Sequence, residues 1–143
     1  MSFRRDYILR MIEMIGELIA GILGLIKKGK FEQAEEAIDQ AYLDYLKEDA
    51  AFFRNIKSED LTEELMQNHN YTHSHLEVLA ELFYAEGELH TAKGNIKPAL
   101  DCYRKSLKLH QFVIDESDTF SVAKEQKSEY LQKQINELEE RLH

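Results

Sequence analysis

Proline is almost missing from these 143 residues, with Pro98 the one instance; tryptophan is absent, cysteine occurs once and glycine six times. Strand signals are lacking. Long stretches rich in Leu, Ile, Ala, Glu and Lys fill the chain instead, which predicts an all-α fold. A single Cys102 excludes an internal disulfide and fits a reducing compartment, and in its helix it is expected to serve as a small buried apolar residue. Long apolar runs are scarce too. The longest uncharged one near the amino terminus, Leu18 to Ile26, spans nine residues, against the ~20 that cross a bilayer. Arg4 and Arg5 before Tyr7-Ile8-Leu9 imitate an export signal, but Asp6, Glu13 and Glu17 interrupt that region and no small-x-small cleavage site follows. The expectation is a soluble, cytoplasmic protein.

Excess positive charge is also lacking, since the net charge is -9. Residues 31 to 90 carry three Lys/Arg against fifteen acids, whereas residues 1 to 30 carry six against three. So acidic a body repels phosphate backbones, which argues against nucleic acid as a partner. The length suits one domain, 1–143, able to bury about 70% of its unfolded surface.

What is present is helical periodicity. Residues 5 to 28 read as a first helix, with Ile8, Met11, Ile12, Ile15, Leu18, Ile19, Ile22, Leu23 and Ile26 at three-and-four spacing. Its apolar stripe is wide enough to need cover on more than one side. Gly16, Gly21 and Gly24 each cost a helix interior about 0.8–1 kcal/mol, so close approach of another backbone is expected beside Ala20, Gly21 and Gly24. Gly29 ends this helix. A second runs from about Phe31 to Lys47, with Phe31, Ala34, Ile38, Ala41, Tyr42 and Tyr45 inside and the acids Glu32, Glu35, Glu36 and Asp39 outside.

Residues 48 to 74 are less regular. Phe52, Phe53 and Ile56 suggest a segment that folds back onto a groove, Asp60 with Glu63 suggests a cap for a short helix from Glu59 to Gln67, and Asn68 to Thr72 reads as a loop. Ser74 with Glu77 reads as a capping box that opens a helix from His75 to Lys93, with Leu76, Leu79, Leu82, Phe83 and Leu89 inward. Gly94 ends it. Pro98 falls in the first turn of the next helix, which carries Ala99, Leu100, Tyr103, Leu107 and Val113. A last helix, 119–142, shows a narrow seam of Leu131, Ile135, Leu138 and Leu142 with charge around it.

Two stretches repeat one pattern, Gly29, Phe31, Ala34, Ile38 and Ala41, then Gly94, Ile96, Ala99, Tyr103 and Ser106; with Gly21 before the first and Phe83, Gly87 and Leu107 around the second, they share a further likeness. These residues resemble the tetratricopeptide repeat (TPR), a 34-residue helix-turn-helix unit. The resemblance covers about half the chain. It implies antiparallel hairpins at 5–47 and 75–114, an insert with a short helix at 48–74, and a C-terminal capping helix at 119–142. Glu17 stands where that family has a bulky aromatic, Glu86 where it usually has Leu, and neither copy ends in Pro. The opening Phe3-Arg4-Arg5-Asp6-Tyr7-Ile8 with this layout also resembles a small bacterial family known only as a domain of unknown function, which implies a bacterial source and no particular activity.

Carried over from TPR proteins, the groove positions are Ile15, Leu18, Ile22 and Leu25 in the first copy and Glu81, Tyr84, Glu88 and Thr91 in the second. The resemblance thereby implies a non-enzymatic interaction module that binds a peptide or helix of a partner, or a second copy as a homodimer, apolar at one end and acidic at the other. Two other readings stand beside it. The first helix with its arginines suggests peripheral membrane attachment, and Glu86, His90 and Tyr103 suggest a polar pocket for a small molecule or a reaction. Glu86 and His90, one turn apart, are expected to pair. His69, His73 and His75 have a spacing that holds a metal only in a helix, and their polar neighbours favour a loop, so no metal is expected. Glu140 and His143 form the one Glu-x-x-His pair, where a di-iron bundle needs two. No phosphate loop, nucleophile elbow or zinc-protease motif is present, and no cofactor is expected.

Overall fold

The computed structural model describes residues 2–116 and 122–142, with the side chains of 2–9 and 116 outside the description. The expected inward residue Ile8, the arginines Arg4 and Arg5, the turn after Glu116 and His143 lie outside that description. Among the described residues the fold is all-α, with no strand. Helix α1 spans Ser2–Lys27, and α2 spans Phe31–Ala41 and widens into a π-type turn, Tyr42–Leu46, which Lys47 ends in the left-handed region at φ 63°. The connection holds α3 (Ala50–Arg54), a 3-10 turn (Ser58–Asp60), α4 (Leu61–Glu63) and a second π-type turn (Glu64–Asn68). Three long helices follow: α5 (His73–Lys93), α6 (Ile96–Glu116) and α7 (Val122–Leu142).

Helix α5 is the axis. Eleven of its residues are buried, from Leu76 to Leu89 and on every side, as befits a helix packed against α1, α2 and α6 at once. Contact order gives the directions. Along α6, Tyr103 meets Gly87, Ser106 Oγ donates to the Ala80 carbonyl at 2.7 Å and His110 approaches Glu81, so α6 runs antiparallel to α5. Along α7, Lys124, Lys127 and Tyr130 meet Glu77, Glu81 and Glu88 in the same order, so α7 runs parallel to α5. Helix α2 is antiparallel to it, pairing Glu35 with Lys93 and Tyr42 with Glu86.

Most of the expected inward residues of the long helices form one core: Ile15, Ile19 and Ile22 of α1, Ala34 and Ile38 of α2, Ala99 and Tyr103 of α6, and Leu131, Ile135 and Leu138 of α7 are buried, while Ile12 and Leu142 stay 37% and 41% exposed. Cys102 is buried as expected. Gly29 and Gly94 adopt φ of 76° and 80°, the left-handed ends that let each chain reversal start without strain.

Several local expectations are corrected. Among the described residues no atom from outside their own stretch of helix lies within 4 Å of a Cβ built on Gly16, Gly21 or Gly24, so the expected close approach of another backbone is not made. The glycine that does permit close packing is Gly87, where an added Cβ would stand 2.6 Å from the Tyr103 ring. Helix α5 starts at His73 and is capped by Thr72 with His75, not by Ser74 with Glu77; His75 Nδ1 lies 3.0 Å from both the Thr72 N–H and its hydroxyl. Asp60 makes no side-chain cap, and Asp49 accepts from the Phe52 N–H at 2.9 Å to open α3 instead. Phe53 folds back, but onto the end of α2, where its ring stacks on Tyr42 at 5.2 Å. The inner side of α1 is covered by α5 and α2.

Candidate functional site

Glu86 is 2% exposed in the middle of α5, among elements that the hairpin at Gly29 and the aromatic fold-back of α3 bring to it. A lone buried carboxylate would be too costly to ionise, so its partners define the region. Tyr42 Oη donates to Oε2 at 2.8 Å, while Arg54 donates to Oε1 from Nε at 2.9 Å and also from Nη2. Arg54 reaches Asp39 at 3.1 Å as well. Its backbone carbonyl is held by Lys105 Nζ at 2.9 Å, and that buried ammonium also lies 3.2 Å from Asp101. Burial, and then the charge of Glu86, push the Tyr42 hydroxyl well above its ordinary pKa, so it is a donor throughout the working pH range. The Cys102 thiol, 4.0 Å from Oε2, is pushed up for the same two reasons and is not a nucleophile.

Beside this cluster lies a cavity of about 190 Å³ between α2 and α5, lined by Glu86, Arg54, Ile38, Leu89 and His90 and by the 3.7 Å Glu35–Lys93 pair. His90 and Glu86 do not pair, contrary to expectation; Glu86 takes Tyr42 and Arg54, and the buried His90 Nδ1 has no hydrogen-bond partner. Burial lowers the His90 pKa, so the ring is neutral at pH 7. Tyr103 does not line this cavity. Its hydroxyl turns to Glu88 and, at 3.3 Å, to Thr91.

The groove positions separate into two groups. Ile15 and Ile22 point into the core, and Leu18 and Leu25 are half-buried against it. In the second group, α7 lies across the face. Tyr84 is buried beneath Lys127, whose ammonium sits 3.5 Å from the ring centroid, and edge-on to Tyr130. Glu81 pairs with Lys127 at 3.7 Å, and Glu88 accepts from both Tyr103 and Tyr130. All four polar-half residues are thus engaged within the chain.

Under α7 lies a second buried polar cluster. His110 is 6% exposed, with Nε2 unpartnered and 4.0 Å from Glu81 Oε1. Burial, reinforced by Lys127 and Lys124, lowers its pKa to about 4, while burial raises that of Glu81. His73 meets the Phe112 ring, while His69 meets Phe52 and also Tyr71, the ring on which His75 stacks, and no group of three metal-ligating side chains occurs among the described residues.

The outward face of α1 is the contrasting surface. Ile12 and Met14 are 37% and 53% exposed, Glu13, Glu17, Ala20 and Gly21 are exposed, and the space beside the glycines is open. Arg54, Lys105, His110 and Tyr130 escaped the sequence reading. Glu86 alone carried a signal, as a charged residue at an inward helical position. No family model, curated protein or solved structure matches the chain.

Proposed function

We propose that this chain is a non-enzymatic protein-interaction module, built as a degenerate TPR-like pair of hairpins with α7 as its capping helix, and that it binds a helix on the outward face of α1. The carrying observation is that Gly16, Gly21 and Gly24 interrupt α1 and that, among the described residues, no atom outside their own stretch of helix lies within 4 Å of a Cβ built on any of them. Together they cost the isolated helix roughly 2–3 kcal/mol, which a partner packed on the bare backbone would offset. The Ala99 and Tyr103 packing on the α5 side supports the TPR-like hairpin, and the ion pairs of α7 along α5 support the cap. Because α7 and the core occupy the carried-over groove positions, the binding face moves to the other side of α1.

The membrane reading is weaker. Glu13 and Glu17 stand on the face that would meet anionic headgroups, and no helix among the described residues is long and apolar enough to cross a membrane. The cavity beside Glu86 favours a second reading, a small-molecule site, but both oxygens of Glu86 already hold donors. A photo-reactive residue placed in cells at Ala20, with one at the exposed Glu129 as control, tests the interaction. Protein adducts specific to Ala20 are expected; their absence would remove the proposal.

A further inference from the structure

Resting on that reading, we infer that the partner on α1 is a second copy of this chain, docked antiparallel about a two-fold axis at Ala20. With Ile15, Ile19 and Ile22 buried, the outward side of a helix turning 100° per residue carries Glu13, Glu17, Ala20, Gly21 and Gly24, with Gly16 and Lys27 along one edge of it. Acids occupy the first half of this strip and a lysine its end. An antiparallel copy sets Glu13 of each chain against Lys27 of the other, and Gly16 against Gly24, so that charges match and the two backbones meet where neither has a side chain. A parallel copy would set Glu13 on Glu13 and Glu17 on Glu17. Such self-complementarity is what an isologous contact requires.

Charge across the whole chain selects the same segment. The protein carries a net charge of -9, and two copies repel one another through residues 31 to 90, with three Lys/Arg against fifteen acids. Residues 1 to 30, with six against three, are where copies can approach. Along one edge of the strip, Ile12, Ile15, Gly16 and Val78 contribute to a pocket of about 100 Å³ between α1 and α5. The axis at Ala20 sets Leu23 of the second copy level with Glu17, one residue past Gly16 along this edge, and adds apolar cover toward the exposed Ile12.

Sedimentation equilibrium of the purified chain across a range of concentrations tests the inference, together with Glu13→Lys, Lys27→Glu and the double variant, all at exposed positions that leave the core intact. The wild type is expected to weigh twice 16.8 kDa. Each single variant sets like charges together and is expected to raise the dissociation constant roughly tenfold or more, and the double variant is expected to restore it. Ala20→Cys is expected to give a disulfide-linked dimer in air, since Cys102 is buried. A monomer at every concentration overturns the inference, as does a dimer indifferent to the charge reversals. If the purified chain is monomeric while Ala20 adducts form with other proteins, the second copy is excluded and the interaction reading survives; if no adducts form either, both fall.

Discussion

His110 gives the sharpest check on the packing of α7. Its imidazole is enclosed by Glu81 of α5 and by Lys124 and Lys127 of α7, and its pKa falls from 6.5 to about 4, chiefly through burial. In the unfolded chain it titrates near 6.5. Between those values the unfolded state binds the proton and the native state does not. The contribution is therefore complete above pH 6.5 and is lost as the pH falls toward 4. From pH 7 to pH 5 the loss works out at about 2 kcal/mol for this one group. His75 and His90, whose pKa values are also lowered by burial, add losses of the same sign, whereas Glu81, raised by burial, opposes them.

Comparison with His110→Leu isolates the single group, because the other titrations are common to both chains. Leucine also removes an Nε2 atom that has no partner, so the variant is expected to be no less stable than wild type at pH 7. Urea titrations at pH 7 and pH 5 would follow helical circular dichroism. At a slope of about 2 kcal/mol per molar, the wild-type midpoint should fall roughly 1 M further than that of the variant. Equal shifts in the two proteins would mean that His110 titrates as it does in the unfolded chain, and the burial of the α5–α6–α7 junction would be refuted.

Three further outcomes follow from named contacts. Arg54→Met should cost about 3–5 kcal/mol, because it strands a carboxylate that is 2% exposed, whereas Glu86→Gln should cost about 2 kcal/mol, since Arg54 is 42% exposed and water replaces its partner; denaturant midpoints measure both, and equal costs would contradict the arrangement. Gly87→Ala should destabilise by about 1–3 kcal/mol through collision with the Tyr103 ring, while Gly21→Ala, with open space at its Cβ in the single chain, should stabilise the monomer by up to about 1 kcal/mol, so that the same substitution in one thermal assay at monomer concentrations gives opposite signs. Tyr130→Phe should cost about 1 kcal/mol by removing the 2.9 Å bond to Glu88, with hydrogen exchange rising first in α7.

The helices were legible because their signals are local. Apolar residues at Leu76, Leu79, Leu82 and Phe83 share a face whatever lies opposite, and Gly29 and Gly94 mark chain reversals by their own conformational freedom. The three glycines of α1 show where local reading stops. Gly21 and Gly87 are alike in the sequence, yet one faces open space and the other a tyrosine ring. What separates them is the position of Tyr103, sixteen residues beyond Gly87 on the facing helix, and no period along the chain encodes that.

The candidate sites follow the same division. Arg54 lies in a connection of little regularity, where a cation reads as solvated, and only the fold-back of Phe53 onto Tyr42 carries it to Glu86, thirty-two residues away in sequence. Glu86 itself was visible as an acid at an inward position, a conflict between local pattern and residue type that a buried partner resolves. Gly16, Gly21 and Gly24 present the same kind of conflict on α1, helix-weakening residues inside a helix, but here no described residue resolves it. Two conflicts of one kind, one satisfied by an internal cation and one left open at the surface, are why α1 and not the Glu86 cavity carries the functional proposal.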